Sequence, residues 1–488
     1  MSLARKAVRG AVWTIALSVG SRAFGVIVTI FIAYFIAPEV DGEVKAAWFI
    51  AFTASTAMRF GLDQYLIVHQ DADEVVFHCT FFMVLLGVLS LGAVLLFGDL
   101  FATILNAPNL HEYIPLAVVG VGLRRIAAIP HRILIRDFRF RMAAVAEGAS
   151  EIAYGVSTLG LAYLGFGGNS ILIGNIVQGG LLLWIVSMAV GWQSWLRPCR
   201  LSWQRIRDML RFGTPLNFHT LLHIIAHTWD GLVLSYRFGM SQMGLYSKAY
   251  SLADIPASHV GEHIGGVLLP SMAKIEPERR MDVLIRSTAI LGVLIFPMGV
   301  GLGVIADPLV RVLLPESWQG VTPFLMVLAS MSVFRPLTWV VDSYMKVTDR
   351  TRLLFLGELL KVGLLFSAIW FAPGPVWAAA GVGLAFAAQS LFLVGVLAVV
   401  DGVSPMRFVP GFLGPLMACG VMAAAVLGVR FGLRTVGLDS AIVELVVDIA
   451  VGAIVYVPAA FLCAPAVTRD VIGLLRKSFG RGRAGTVG

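Results

Sequence analysis

Runs of about twenty apolar residues recur along the chain, and a basic segment separates the sixth run from the seventh. A helix of that length crosses a hydrocarbon core of about 30 Å. The basic segment, residues 197–211, holds five arginines in fifteen residues and has such a run on either side. It therefore predicts a loop outside the membrane, with a helical half of the protein before it and another after it.

The composition excludes an ordinary soluble protein. Of the 488 residues 58% are hydrophobic and 14% are charged, whereas soluble proteins typically carry about 25% charged residues. The net charge of +8 could suggest nucleic-acid binding, but most lysines and arginines fall between apolar runs, as in the loops of a membrane protein. No CxxC pair occurs among the four cysteines, so we predict no zinc site, no disulfide framework, no bound metal and no cofactor.

Charged residues and Pro/Gly punctuation divide the chain into about fourteen predicted transmembrane helices. The first run, residues 11–37, is longer than the apolar part of a signal peptide and ends without an A-x-A site, so we expect it to stay uncleaved. The spans of the first half lie near residues 11–37, 46–68, 76–102, 114–131, 143–164 and 170–190. Those of the second half lie near residues 214–236, 245–269, 284–305, 321–343, 353–372, 376–400, 408–429 and 441–464.

The distribution of lysine and arginine gives the orientation. With the N-terminus inside, the predicted inner segments hold 25 of the 37 basic residues, the outer loops hold five, and seven lie within spans. Cytoplasmic loops carry the excess of positive charge. We therefore predict a multi-pass membrane protein with both termini and the basic linker in the cytoplasm.

The two halves also match each other at an offset near 200. Tyr34, Gly42 and Ala47 match Tyr236, Gly244 and Ala249 at offset 202, and Glu147 matches Glu358 at offset 211. Matches at a constant offset predict a duplicated unit, and an even number of spans gives both copies the same orientation.

The predicted fold is an all-α polytopic membrane protein with two parallel six-helix repeats forming two lobes around a central cavity, plus two C-terminal helices. The predicted parts are an N-terminal lobe (1–195), a basic linker (196–212), a C-terminal lobe (213–402), two additional helices (403–466) and a basic tail (467–488).

Seven stretches in order carry a resemblance to a known family. They are AYFIAPEVDG (33–42), RILIRDFRF (132–140), LGFGG (164–168), RFGTPL (211–216), GLYSKAYSLADIP (244–256), VLLPSMAK (267–274) and LLPESWQGVTPF (313–324). The chain resembles the polysaccharide transporters, the Wzx-type flippases of the multidrug/oligosaccharidyl-lipid/polysaccharide exporter superfamily. The resemblance covers about residues 5–400. It implies translocation of polyprenyl-pyrophosphate-linked oligosaccharide across the bacterial cytoplasmic (inner) membrane, for surface polysaccharides such as O-antigen or exopolysaccharide.

Basic residues inside spans are the candidates for substrate binding, because a charge in the hydrocarbon region is costly and by default functional. They are Arg22, Arg124, Arg125, Lys248 and Arg335; the alternative is anchoring at the membrane interface. Arg59 precedes Asp63 by four residues, a spacing at which a helical pair neutralises itself, and we expect that pairing. Glu147 and Glu151 are expected to be packing or rim residues.

A polar stripe on spans 7 and 8 predicts the element that couples transport to an ion gradient. It contains His223, His227, Asp230 and His263, and intramembrane aspartate and histidine commonly mark proton relays. Hydrogen bonding across helices and, much less favoured, a metal site are the alternatives.

The expected function is therefore transport rather than catalysis. The expected partners are the lipid-linked oligosaccharide, membrane lipids and polysaccharide assembly proteins, with no nucleic acid. A drug/cation antiporter of the same superfamily, and a membrane-embedded polymerase or acyltransferase, are the competing interpretations.

Overall fold

A computed structural model gives the fold of the chain. It describes residues 20, 24–68, 73–273, 275–329, 331–438 and 440–480; the side chains of residues 67, 68, 73, 216, 219, 223, 256–271, 273, 332, 336, 351 and 474–480 fall outside this description. The regular structure within these ranges is helical, and they contain no β-strand.

The helices are numbered in chain order. The first ten are α1 (24–32), α2 (Pro38–Ala57), α3 (Leu62–Val68), α4 (Asp73–Leu96), α5 (Gly98–Ile104), α6 (Leu110–Arg136), α7 (Phe140–Tyr163), α8 (Asn169–Val190), α9 (Trp192–Leu196) and α10 (Trp203–Phe238). The others are α11 (Met240–Ala273), α12 (Pro277–Val304), α13 (Ala306–Leu313), α14 (Val321–Leu328), α15 (Met331–Val347), α16 (Thr351–Phe371), α17 (Pro375–Asp401), α18 (Val409–Thr435), α19 (Ala441–Cys463) and α20 (Pro465–Gly480).

Nine stretches of the described chain are long and apolar enough to cross a membrane. They are Glu74–Leu96, Leu110–Arg136, Asn169–Val190, Pro277–Val304, Val321–Val347, Arg352–Phe371, Pro375–Asp401, Val409–Thr435 and Ala441–Cys463. Four further helices, α2, α7, α10 and α11, are at least 20 residues long but more polar. The prediction of an all-α polytopic membrane protein is confirmed; the count of fourteen spans stays a prediction.

Proline begins several of these helices. Pro38, Pro277 and Pro375 each lie in the first turn of α2, α12 and α17. Proline is well suited to that position because its fixed φ is helical and the N–H it lacks would have no partner within the helix. These prolines mark the first turns of the three helices.

The chain divides into two compact units, residues Met1–Gly244 (unit 1) and Leu245–Gly488 (unit 2). Helix α10, predicted to open the C-terminal lobe, belongs to unit 1 in this division because it packs against α2. Trp229 Nε1 donates a hydrogen bond to Thr53 Oγ1 at 3.1 Å, and Asn217 Nδ2 donates to the Ala57 carbonyl at 2.7 Å. The predicted five-part domain scheme stays a prediction.

The core of unit 1 is organised around α6, which packs closely against α8. A side chain in place of Gly120 would contact Asn175 at 3.4 Å, and one in place of Gly179 would contact the Gly120 carbonyl at 3.2 Å. These glycines let the two backbones approach closely, as small residues do between membrane helices. The close packing fixes where the side chains of α6 and α8 meet.

The turns after α6 and α15 have the same backbone geometry at an offset of 211 residues. Phe138 and Asp349 adopt positive φ values of 57° and 56°. The following amides, of Arg139 and Arg350, donate to the carbonyls of Leu134 and Met345, in both cases at 2.8 Å. The same offset relates Glu147 to Glu358 in the sequence, so the turns are a second observation in favour of the duplicated unit.

In unit 2, α18 and α19 form a hairpin. Ion pairs connect one end of this hairpin to α13. Arg434 Nε donates to Glu444 Oε1 at 2.6 Å, and Arg311 contacts Glu444 from α13. Arg430 pairs with Asp448, and both of these side chains are buried. Although the spans at 403–466 have generic sequences, these pairs attach them specifically to unit 2.

Candidate functional site

The predicted site residues fall into three groups. Arg22 lies outside the described residues, and the side chains of His223 and His263 do too, although their backbones lie in α10 and α11. In unit 1 the described candidates are Arg124, Arg125, His227 and Asp230, and in unit 2 they are Lys248 and Arg335.

Unit 1 contains a cavity of about 460 Å³, here called the unit 1 cavity, between α2, α3, α6, α7 and α8. Trp48, Phe52 and Leu182 contribute apolar surface to its wall. Its titratable lining consists of Arg59, Asp63, Arg124, Arg125, His131, Arg132 and Glu147. Four arginines against two carboxylates leave an excess of two positive charges when His131 is neutral.

A break between α2 and α3 brings Arg59 to the cavity. Phe60 and Gly61 have positive φ values of 47° and 55°, so the helix cannot continue through them. The side chain of Asn217 bridges the break from α10: the Phe60 amide donates to Asn217 Oδ1 at 3.0 Å, and Asn217 Nδ2 donates to the Ala57 carbonyl. Arg59 therefore lies on a bent segment held from two sides.

The negative charge of Asp63 acts on Arg59, but the described residues contain no close Arg59–Asp63 ion pair of the kind that the spacing predicts. Asp63 Oδ2 instead accepts a hydrogen bond from Arg132 at 3.1 Å. The i, i+4 rule assumes a continuous helix, and here the helix is interrupted between the two residues. The buried Nε of Arg59 has no hydrogen-bond partner among the described residues. Arg59 is thus a cation of the cavity wall, although its spacing from Asp63 predicts a neutralised pair.

Arg125 lines the same cavity but is anchored to the protein framework. Its Nε donates to the Met83 carbonyl at 2.7 Å, Nη2 donates to the Met58 carbonyl at 2.7 Å, and Nη1 donates to the Ser55 carbonyl. A second bond joins Nη1 to the Ser55 hydroxyl at 3.2 Å. With only 1% of the residue exposed, most of its hydrogen-bonding capacity is directed at backbone.

Arg124, the next residue, is placed differently because adjacent helical residues point about 100° apart. Its Nη1 donates to Gln178 Oε1 of α8 at 3.2 Å, and Gln178 Nε2 donates to Glu151 of α7 at 2.6 Å. Unlike Arg125, it contacts a side-chain amide rather than carbonyls of the backbone. Arg124 therefore keeps donors on the cavity side.

One further titratable pair borders the cavity. His131 Nε2 lies 3.5 Å from Glu147 Oε1, and the His131 side chain is largely buried. Protonation of His131 would add a third positive charge to the excess. The charge of the cavity therefore depends on pH through groups in its own wall.

The stripe on α10 is partly visible. Asp230 is buried, and its Oδ1 accepts a hydrogen bond from the Gly231 amide at 2.8 Å, while His227 is half-buried. Among the described residues no group of three or more His, Cys, Asp or Glu side chains could hold a metal ion. The coupling role of His223, His227, Asp230 and His263 stays a prediction.

In unit 2 the predicted cations lie against aromatic rings. Arg335 pairs with Asp254, donates to the Tyr250 hydroxyl at 2.8 Å, and lies 5.2 Å from the centre of the Phe386 ring. Lys248 is buried with its Nζ 4.6 Å from the centre of the Trp318 ring. Arg335 thus carries its own counter-charge, and both cations are partly stabilised by cation–π contact.

A polar cluster in unit 2 contains the glutamine that matches Gln178 of unit 1, but its carboxylate, Glu358, matches Glu147 rather than Glu151. Gln389 Nε2 donates to Glu358 at 2.9 Å, and Lys361 Nζ lies 2.7 Å from the other oxygen of Glu358. The offset of 211 relates Gln178 to Gln389 and also Arg124 to Arg335. Gln178 and Gln389 were not predicted as site residues, because a single neutral side chain in a span does not indicate a site unless its partners are known.

Comparison with known proteins gives the relationships of the chain. Residues 31–323 match a family described as polysaccharide biosynthesis protein. The chain is 25% identical over 483 residues to the succinoglycan biosynthesis transport protein ExoT of Rhizobium meliloti (strain 1021), covering 97% of this chain and 96% of that protein. It is 23% identical over 394 residues to the lipopolysaccharide biosynthesis protein WzxC of Escherichia coli (strain K12), covering 79% of each.

Among solved structures the chain is similar to lipid II flippase MurJ in an inward closed conformation. The TM-score is 0.76 with 14% sequence identity, covering 94% of this chain and 100% of that chain. At this identity the likeness is one of fold. The predicted resemblance to the polysaccharide transporters is confirmed. The chain belongs to the polysaccharide biosynthesis protein family.

Proposed function

We propose that the protein is a flippase that moves polyprenyl-pyrophosphate-linked oligosaccharide units across the bacterial cytoplasmic membrane by alternating access, for surface polysaccharide biosynthesis. The family match and the names of ExoT and WzxC support transport in polysaccharide biosynthesis. The chemistry of the unit 1 cavity supports the substrate class. We further propose that both termini and the linker lie in the cytoplasm, on the strength of the charge distribution.

The observation that carries the proposal is the excess of positive charge in the wall of the unit 1 cavity, to which Arg59 and Arg124 both contribute. Hydrogen bonds from guanidinium to phosphate are charge-assisted and are stronger than those between neutral groups. Arg59 and Arg124 both line this cavity, so their guanidinium groups would donate such bonds to a bound pyrophosphate. We assign the capture of the pyrophosphate to Arg59 and Arg124, with Arg125 as the framework that holds their helices.

The prenyl chain needs apolar surface, and unit 2 contains a largely apolar cavity of about 580 Å³. It lies between α12, α14, α15 and α18, with Val300, Met326, Phe334 and Phe412 among its lining. Arg430 is the charged residue of that wall, and it is already paired with Asp448. We propose this surface for part of the lipid chain.

The same charge argument weighs against the competing functions. A drug/cation antiporter would favour carboxylates in its cavity, whereas arginine exceeds carboxylate in the unit 1 cavity. A polymerase or acyltransferase would need a sizeable catalytic segment outside the membrane, and the loops between the described helices are short. We therefore propose transport without covalent change of the substrate, with membrane lipids and assembly proteins as partners.

The remaining candidate residues have proposed roles outside the unit 1 cavity. We propose that Arg22, Lys248 and Arg335 contribute to substrate binding elsewhere along the path, and that the α10–α11 stripe couples transport to an ion gradient. Arg22→Ala is expected to abolish polysaccharide export at normal protein level, and Arg22→Lys to retain part of it. Full export by Arg22→Ala would remove that residue from the path.

The function is tested in proteoliposomes with a fluorescent polyprenyl-pyrophosphate glycan. The parent is expected to move the lipid between leaflets with the glycan intact, and Arg59→Gln and Arg124→Gln to lower the rate at least tenfold. Arg279→Gln is the matched control, because this side chain is 78% exposed and its ion pair within the described part of the chain is with nearby Glu276 at 3.4 Å. Parent-like rates in both cavity variants would refute the assigned site, and a chemically altered glycan would indicate an enzyme.

A further inference from the structure

Glu151 lies behind the unit 1 cavity, two hydrogen bonds away from a cavity cation. Arg124 Nη1 donates to Gln178 Oε1, and Gln178 Nε2 donates to Glu151 Oε2. The amide thus presents its acceptor to the cation and its donor to the carboxylate. This orientation suits an ionised Glu151, whose negative charge acts on Arg124 across a single side chain in a medium of low dielectric constant.

Another glutamine-bonded carboxylate, Glu358 of unit 2, has a different environment, although the offset of 211 relates it to Glu147 and places Val362 at the position of Glu151. Glu358 accepts a hydrogen bond from Gln389 and also pairs with buried Lys361. Lys361 lies three residues after Glu358, whereas Tyr154 lies three residues after Glu151. Glu151 accepts a hydrogen bond from Gln178, which is a neutral amide.

We propose that Glu151 is a proton-linked positioning residue that sets the affinity of the unit 1 cavity for an anion. This inference rests on the proposed function of that cavity. When Glu151 is ionised it compensates the charge of Arg124, and when it is protonated the full positive charge faces the cavity. Because binding linkage is reciprocal, a bound phosphate group favours protonation of Glu151 to the same degree.

Other charged and titratable groups act on Glu151 from the elements around it. Arg124 faces it from α6, Glu147 lies one turn earlier on α7, and Tyr154 lies three residues later on the same helix. From α8 the contact is the neutral Gln178. From α1 the contact is Gly25, where an added Cβ would lie 3.2 Å from Glu151 Oε1. Arg22, three residues before Gly25, is outside the described residues.

The experiment measures binding of an anionic probe to the purified full-length protein in nanodiscs across pH. The probe is a soluble short-chain prenyl pyrophosphate diester of a hexose, whose own charge stays constant in this range. Apparent Kd is measured between about pH 4.5 and pH 8, which spans the ordinary titration of glutamate and histidine. Every arm is repeated with His131→Gln, since His131 titrates in the cavity wall itself.

The parent and the His131→Gln protein are expected to bind the probe about three- to tenfold more tightly at the acid end of the range, the scale of one titrating charge near the site. Glu151→Gln is expected to bind at the tight, acid-end affinity throughout and to lose the pH dependence that remains in the His131→Gln background. Glu151→Asp is expected to retain a pH dependence, which separates a titrating role from a purely structural one.

The outcomes distinguish the two proposals. If Glu151→Gln keeps the pH profile of the parent, or if the His131→Gln protein binds well with no pH dependence, the role of Glu151 is overturned while the anion site stands. If the parent binds the probe at no pH, or Arg59→Gln and Arg124→Gln bind as tightly as the parent, the cavity is not the anion site and the proposed function fails with it.

Discussion

Gly42 of α2 packs directly against the backbone at the start of α11, where its sequence-matched counterpart Gly244 lies. A Cβ added to Gly42 would lie 3.2 Å from the Gly244 nitrogen and would overlap the Met240 carbonyl, and a Cβ added to Gly244 would overlap the Pro38 carbonyl. The two glycines, related by the offset of 202, thus allow one close crossing within unit 1.

Replacing Gly42 by leucine is expected to destabilise the protein, because the crossing can accommodate the side chain only by moving backbone. Overpacking of this kind costs about 1–3 kcal/mol, occasionally more. The measurement is the melting temperature of the detergent-solubilised protein. Gly160→Leu in α7 is the control, since a side chain there meets nothing within 4 Å; equal melting temperatures for the two variants would contradict the crossing.

Replacing Asp349 by glycine is expected to stabilise the turn after α15. A residue other than glycine at positive φ loses about 1–2 kcal/mol, somewhat less for Asp, and the exposed Asp349 side chain has no hydrogen bond within the described structure that would offset this. The melting temperature should rise for Asp349→Gly and fall for Asp349→Val. A rise in both variants would show that backbone geometry is not what limits this turn.

Replacing Asn217 by alanine is expected to weaken both stability and transport. The change removes both hydrogen bonds across the α2–α3 break, and each unmade bond to a buried backbone group costs about 1–3 kcal/mol. Asn217→Asp keeps the acceptor for the Phe60 amide and loses only the bond to Ala57, so it should fall between parent and alanine. The order is checked by thermal unfolding, and the same order in flipping rate would tie the break to the position of Arg59.

Replacing Asp63 by asparagine is expected to tighten anion binding several-fold. The change removes the carboxylate that pairs with Arg132, so the excess positive charge of the cavity rises by one. The gain should shrink at high salt, because screening weakens the added charge. Asp282→Asn is the matched control, an exposed aspartate of unit 2 that pairs with Arg407 at 2.8 Å. A parent-like Kd for Asp63→Asn would mean that the probe does not sense the cavity charge.

Reporter fusions are expected to place the segment 197–211 and the C-terminus in the cytoplasm. The reason is the concentration of lysine and arginine in alternate loops. A fusion at Gly239, in the turn between α10 and α11, should report the opposite side and serves as the control. A periplasmic signal from the segment 197–211 would overturn the predicted orientation.

The helices were predictable because a helix that spans the membrane needs an apolar run of matching length in the sequence. The pairing of charges was less predictable, and Arg59 shows why. Its spacing from Asp63 suggested a pair, but Phe60 and Gly61 break the helix between them and Arg132 takes the partner from 69 residues away. In the sequence around Arg59, Gly61 is the residue whose type indicates a break in the helix.

Arg124 and Arg125 show a second limit. Both are arginines in one apolar run, and both are therefore predicted to bind substrate. Their rotation around α6 sends one to a side-chain amide and the other to backbone carbonyls, a difference that depends on which helices pack on each face. The repeat was easier to detect because several weak matches share a register, and the turns at Phe138 and Asp349 share it too.

The anchoring of Arg125 has a consequence for how the cavity can work. One guanidinium ties the end of α2 to α4 and α6 through three backbone carbonyls, so these segments cannot slide past one another without stranding a charge away from water. We expect this wall to behave as a brace that keeps its shape throughout the cycle, with slow amide hydrogen exchange around residues 55–58 in every state. The binding strength of the cavity would then be tuned by protons and side-chain rotation rather than by deformation of its wall.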